Sequence, residues 1–195
     1  MLACASKDGI VKLWHLDGTR GQTFQEYSDE VKSLSFSPNN QMLASVSDKG
    51  TVKLSRLDGT LVQTLELVQH RWRGRDGKVV QTVQKHTYWV NSIIFSPDGQ
   101  TLASASVDDT VKLWRLDGTL LQTFEGHSST VTSISFSPDG ETIASASKDG
   151  KVILWKFNLK DLLVQACDWL RDYLKTNPNV SESDRHLCDG IGTHK

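Results

Sequence analysis

The sequence has few cysteines, no long apolar run and no surplus of charge of either sign, and each scarcity closes off a class of function. Three cysteines, Cys4, Cys167 and Cys188, are an odd number with no C-x-x-C spacing, which speaks against a disulfide framework and a structural zinc site. They read as reduced thiols. The 22 basic residues nearly balance the 23 acidic ones, so no net field recommends nucleic acid or an anionic membrane as a partner. No stretch nears the roughly 20 apolar residues that a membrane-spanning helix needs. The start, M-L-A-C-A-S-K-D, has neither the basic nor the apolar region of a signal peptide. A cytoplasmic location is the expectation. P-loop, H-E-x-x-H, dinucleotide and G-x-S-x-G motifs are also missing from the sequence, so the chain is read as non-catalytic, with no cofactor and no metal.

What the sequence has is repetition. The stretch His86 to Trp114 reads H-T-Y-W-V-N-S-I-I-F-S-P-D-G-Q-T-L-A-S-A-S-V-D-D-T-V-K-L-W, and its pattern returns in register at His127 to Trp155, 41 residues later. A fixed period of about 40 to 45 residues is the signature of a propeller array. Earlier copies are found by the phrase S-K-D-G-I-V-K-L-W at Ser6 and S-D-K-G-T-V-K-L-S at Ser47. Turns of the type L-D-G-T follow at Leu16, Leu57 and Leu116, and S-P-D-G or its variant S-P-N-N precedes each later copy at Ser37, Ser96 and Ser137. The segments between turns are short and rich in Val, Ile, Leu, Thr and Ser, which predicts strands. In V-T-S-I-S-F from Val131, bulky Ile134 and Phe136 alternate with Ser133 and Ser135. That pattern suits a sheet packed between sheets on both faces.

These units resemble WD repeats, whose fold is a ring of four-stranded antiparallel blades, usually seven, around a channel. Gly126-His127, the turn aspartates and the closing tryptophans carry the resemblance over residues 2 to 157. It implies that His86, Ser104, Asp108 and Trp114, and again His127, Ser145, Asp149 and Trp155, form a hydrogen-bonded set inside each blade. A catalytic triad is the competing reading of Ser, His and Asp, but a set recurring every 41 residues with its serine inside a strand points to structure. The resemblance also implies a partner-binding face built from loops and turns at one end of the blades. Copied by position, that face holds Tyr88, Trp89, Asn91 and Val107, then Thr130, Thr132 and Lys148, then Glu30, Lys32 and Asp48. Tyr88 and Trp89 are the favoured anchors, because aromatics dominate interface energetics.

The first two copies depart from the pattern. Copy two has Tyr27 for the histidine, Lys49 for the turn aspartate with Asp48 displaced by one, and Ser55 for the tryptophan; only Ser45 remains. Copy one keeps Asp8 and Trp14 but has Cys4 for the serine. Between copies two and three the step is 59 residues, and D-G-T-L-V-Q-T-L at Asp58 is echoed by D-G-K-V-V-Q-T-V at Asp76. Residues 68 to 84 are therefore expected to be a two-stranded vestige of a deleted blade, with a loop as the alternative. From Asn158, Leu159, Leu162, Leu163, Ala166, Leu170, Tyr173 and Leu174 fall at helical spacing and Asn177-Pro178 supplies a stop.

The expected fold is all-β: a partial, open WD-repeat propeller of about four blades plus the two-stranded vestige, with a C-terminal amphipathic α-helix. The expected division is 1–157 for the array and 158–195 for helix and tail, with incomplete blades at 1–26 and 127–157 and an eroded segment at 67–85. The tail D-W-L-R-D-Y-L-K-T-N-P-N-V-S-E-S-D-R-H-L-C-D-G-I from Asp168 resembles the C-terminal part of bacterial, cyanobacterial-type multi-domain WD-repeat signalling proteins. The implied function is a protein-interaction scaffold, the partner-binding or sensor end of such a protein. The alternative is a truncated propeller that self-associates, as a homodimer through open blade edges.

Overall fold

The computed structural model describes residues 1–68 and 85–157, and all regular structure among them is β. The chain divides into two compact units, Met1–Trp155 and Lys156–Lys195. Of the second only its first two residues are described, so the expected helix from Asn158 lies outside the described residues. The two-stranded vestige does too, Val68 excepted.

Among the described residues fourteen strands form four antiparallel sheets in chain order. Sheet one has β1 (Leu2–Ala5), β2 (Ile10–Trp14) and β3 (Arg20–Gln25). Sheet two has β4 (Val31–Phe36), β5 (Met42–Ser47), β6 (Thr51–Arg56) and β7 (Leu61–Glu66). Sheet three has β8 (Val90–Phe95), β9 (Thr101–Ser106), β10 (Val111–Arg115) and β11 (Leu120–Phe124). Sheet four has β12 (Val131–Phe136), β13 (Thr142–Ser147) and β14 (Val152–Lys156). Strands β7 and β8 are flanked by an isolated bridge between Val68 and His86, and the His86 N–H donates to Leu67 O at 2.8 Å. The chain thus leaves sheet two and enters sheet three at adjacent points.

The turns follow from their side chains. In each L-D-G-T copy the aspartate accepts the N–H of the threonine two residues on, at 2.9 Å in Asp17, 2.8 Å in Asp58 and 2.9 Å in Asp117. The following glycine takes the left-handed conformation that such a turn needs, with φ of 83°, 88° and 89° at Gly18, Gly59 and Gly118. In S-V-D-D the non-glycine Asp109 fills the corresponding left-handed position at φ 67°.

Simple alternation along the first strand of sheets two, three and four is interrupted. A register shift lies between Val31 and Ser33, between Val90 and Ser92, and between Val131 and Ser133. The shift is a β-bulge, and it lets Val131 and Ile134, three residues apart, both turn into the core. The serines are also more than hollows for a neighbour's bulk. Ser33 Oγ accepts the N–H of Ile93 at 3.2 Å and Ser35 Oγ accepts that of Phe95 at 3.1 Å, so β4 holds β8 by its main chain. The core between these sheets joins Val46, Val52, Leu54 and Leu65 of sheet two to Val90, Ile93, Phe95, Leu102 and Trp114 of sheet three. Apolar burial of this extent is the main stabilising term.

Candidate functional site

In sheet three, β9 and β10 place Ser104 and Trp114 side by side, and the loop before β8 lowers His86 onto them. Trp114 Nε1–H donates to Ser104 Oγ at 2.8 Å, and His86 Nε2 lies 2.7 Å from the same oxygen. His86 Nδ1 lies 2.9 Å from Asp108 Oδ2. The proton order follows from donor capacity. The indole can only donate, so Ser104 accepts from it and gives its own hydrogen to His86 Nε2, leaving Nδ1–H to donate to Asp108. That order uses a neutral imidazole.

The electrostatics agree with that order. Burial pushes the His86 pKa down, and the Asp108 hydrogen bond only partly opposes it. Burial alone would raise the Asp108 carboxyl, but hydrogen bonds from His86, Thr110 and the Thr87 N–H outweigh it and hold the group well below the usual carboxylate range. Thr110 Oγ1–H donates to Asp108 at 2.7 Å and the Thr87 N–H at 2.9 Å.

Sheet four repeats the set. Trp155 Nε1–H donates to Ser145 Oγ at 2.7 Å, His127 Nε2 lies 2.8 Å from that oxygen, and His127 Nδ1 lies 2.9 Å from Asp149. The chemistry of such a set is cohesive. Ser104 is fully buried with its hydrogen and a lone pair committed, so it cannot meet an acyl group as a nucleophile would.

Sheet two is where the residue-by-residue expectation needs correction. Tyr27 is a replacement for the missing partners rather than a gap. Its phenol donates to Ser45 O at 2.8 Å, lies 3.0 Å from Ser45 Oγ and accepts the Lys53 N–H at 2.9 Å. The longer side chain reaches past the serine to the main chain of both β5 and β6. Burial pushes the phenol pKa up. The Lys53 ammonium sits 4.7 Å from the Tyr27 ring centroid and donates to Glu26 O. Neither Glu26 nor Lys53 was singled out by the repeat pattern, because the pattern leaves their positions free. A tyrosine in the histidine column is the signal that leads to both.

The residues expected on the partner face are placed as follows. Tyr88 and Trp89 are 61% and 57% exposed, adjacent in the loop before β8. Val107 is half-buried, and its N–H donates to Trp89 O at 2.9 Å, which steadies that loop. Asn91 is turned to the next sheet, where its Nδ2 donates to Val131 O at 2.9 Å. Thr132 Oγ1 donates to Ala146 O at 3.1 Å, and the Lys148 N–H donates to Thr130 O at 2.9 Å with the Lys148 side chain exposed. Lys32 Nζ joins Glu30 at 2.8 Å and Asp48 at 3.3 Å, so the three residues from sheet two form one cluster. Among the described residues no group of three His, Cys, Asp or Glu side chains could hold a metal ion, and no helix is long and apolar enough to cross a membrane.

The family model described as WD domain, G-beta repeat matches residues 18–54, 77–115 and 118–156, more than half of the chain. The chain belongs to the WD40 repeat family. Short segments are similar to curated WD40-type relatives. The chain is 44% identical over 36 residues to DDB1- and CUL4-associated factor 13 of Dictyostelium discoideum, 18% of this chain and 8% of that protein. It is 42% identical over 43 residues to nuclear distribution protein PAC1 of Arthroderma benhamiae, 22% of this chain and 9% of that protein. It is 40% identical over 43 residues to periodic tryptophan protein 2 homolog of Dictyostelium discoideum, 22% of this chain and 5% of that protein. The chain thus spans less than a tenth of the length of these relatives. The four antiparallel sheets are consistent with WD40 blades. WD40 repeats generally serve as non-catalytic platforms for binding other proteins.

Proposed function

We propose that this chain is a non-catalytic scaffold that binds other proteins or peptides through the loops preceding β4, β8 and β12 and the turns that follow β5, β9 and β13. One observation carries the reading. Tyr88 and Trp89 stand exposed side by side on a loop whose main chain is braced by Val107 and by Ser106 Oγ, which donates to Tyr88 O at 3.1 Å. Large aromatics on a rigid support give contact area at little entropic cost.

Selection of peptides against the full chain from a displayed library tests this reading. Binding of the selected peptides should weaken by at least roughly 2 kcal/mol on Tyr88→Ala or Trp89→Ala, about thirtyfold. Melting temperature should hardly move, since neither side chain is buried. Peptides that bind both variants as well as the parent would remove the aromatic pair from the interface. The resemblance of the tail from Asp168 supports placing the scaffold at the partner-binding or sensor end of a bacterial signalling protein. Balanced charge and the lack of an apolar span in the sequence support a cytoplasmic setting. We also propose the division into an array at 1–157 and a tail at 158–195, with an eroded segment at 67–85.

A second reading, self-association into a homodimer, is favoured by one face of sheet four. Val52 and Leu54 of sheet two are 0% and 2% exposed, whereas the corresponding Val152 and Leu154 of sheet four are 69% and 66% exposed. Ser133 and Ser135 beside them are exposed too, although Ser33 and Ser35 clasp the next sheet. On this reading, sedimentation should find a dimer that Leu154→Lys dissociates. A monomer at high micromolar concentration would end it.

A further inference from the structure

The loss of the turn aspartate in sheet two leaves a cleft of about 540 Å³ lined by Glu26, Tyr27, Ser28, Lys49, Thr51 and Lys53 among others. What fills the corresponding space elsewhere says what the cleft is shaped to take. In sheet three the Asp108 carboxylate accepts the N–H of Thr87 at 2.9 Å and that of Thr110 at 3.2 Å, besides the Thr110 hydroxyl. In sheet four Asp149 accepts the N–H of Ser128 at 3.0 Å and that of Lys151 at 2.9 Å. Sheet two carries Ser28 and Thr51 in those donor positions but Lys49 in place of the acceptor.

Neither nearby aspartate compensates. Asp48, one residue early, is drawn to Lys32 at 3.3 Å, and Asp29 pairs with Lys49 at 3.1 Å. The Lys49 side chain is 65% exposed, so the turn leaves the cleft floor uncovered. Four charged side chains face the cleft: Lys49 and Lys53, and Glu26 and Asp29. Two of each sign cancel, so the accessibility of each group decides what the cleft takes. The bare Oε1 of Glu26 is enclosed and out of reach of a ligand, and Asp29 is committed to Lys49. The main-chain donors of Ser28 and Thr51 remain, and each lysine ammonium, joined to Asp29 or to Glu26 O, keeps further hydrogens that can meet a carboxylate as charge-assisted donors.

We propose that this cleft binds a carboxylate of a partner polypeptide, an acidic side chain or a chain terminus, which enters where the intact blades carry their own aspartate. The source of the carboxylate rests on the protein-binding reading above; the site itself does not.

The test is an amide NMR titration of the full chain with three small probes. N-acetyl-aspartate amide offers a side-chain carboxylate, N-acetylglycine a terminal one, and N-acetyl-asparagine amide is the neutral control. Saturable shifts of the Ser28 and Thr51 amides are expected with the anions and none with the control, and the tighter anion identifies the source. Lys49→Asp rebuilds the internal acceptor and should weaken anion binding by at least roughly tenfold, whereas Lys49→Ala, which removes one ammonium but adds no acceptor, should weaken it clearly less. If Lys49→Asp does not fold, Lys49→Asn supplies a neutral acceptor in the same place and should also weaken binding. Lack of saturable shifts at Ser28 and Thr51, or equal binding by the parent and the variant that rebuilds the acceptor, overturns the proposal. Peptides that need Tyr88 and Trp89 could still bind in that case, so the two readings fail separately.

Discussion

Replacing Trp114 by alanine is expected to lower stability by about 3–5 kcal/mol, the range for truncating a large buried aromatic. Trp114 is 1% exposed and is the largest fully buried side chain among the described residues. It belongs to one buried cluster with Leu54 and Leu65 of sheet two and Val90, Ile93 and Leu102 of its own sheet, so its loss opens a cavity in the core shared by two blades. The substitution also removes the indole donor from Ser104, whose buried oxygen then has one partner fewer. Urea denaturation followed by far-ultraviolet circular dichroism measures the effect without relying on tryptophan emission. The reciprocal change, Ser55→Trp, should gain much less. Ser55 is itself buried, and Tyr27 already satisfies the main chain and Ser45 of that sheet. A loss under about 1 kcal/mol for Trp114→Ala would mean that the neighbouring sheets collapse into the space, contrary to the rigid packing described.

The periodicity made the blades legible, and physical chemistry explains both its reach and its limits. Short β-prone runs between fixed turn phrases led to four sheets with three, four, four and three strands, because turn residues dictate chain reversal locally. The His, Ser, Asp and Trp columns were legible for the same reason: a buried hydrogen-bond set tolerates only side chains with matching donors and acceptors. The role of Tyr27 was not legible, because one phenol hydroxyl both donates and accepts, so a single residue can cover the work of two lost partners without matching either in type. The bulge after Val31, Val90 and Val131 was also hidden. Alternation assumes two residues per repeat, and one extra residue breaks it without changing composition. The cleft of sheet two was the least legible feature, since it follows from which donors two intact copies use and a third leaves over.

Asp108→Ala is expected to be the second most damaging substitution, at about 3–5 kcal/mol, because it removes one partner of a buried pair and strands the others. His86 Nδ1–H, the Thr87 N–H and the Thr110 hydroxyl would all lose their acceptor within a blade whose histidine is completely buried. The same network sets the response to acid, and both members push one way. The Asp108 carboxyl is held below its ordinary value in the folded chain, so its contribution is present above the unfolded value near pH 4 and is lost as pH falls through that range. The His86 imidazole is also held below its ordinary value, so the unfolded chain takes up a proton first. Stability therefore begins to fall below about pH 6.5, by at most roughly 1.4 kcal/mol per pH unit for this group. Urea midpoints measured from pH 8 to pH 4 should be level at the alkaline end and decline from about 6.5 downward. Asp108→Ala should flatten the arm below pH 4.5 while deepening the decline above it, since the carboxylate that favours a charged His86 is gone. A parent chain that grows more stable between pH 7 and pH 5 would require a charged His86, whose Nε2–H would then donate to Ser104 Oγ while Trp114 still donates to the same oxygen.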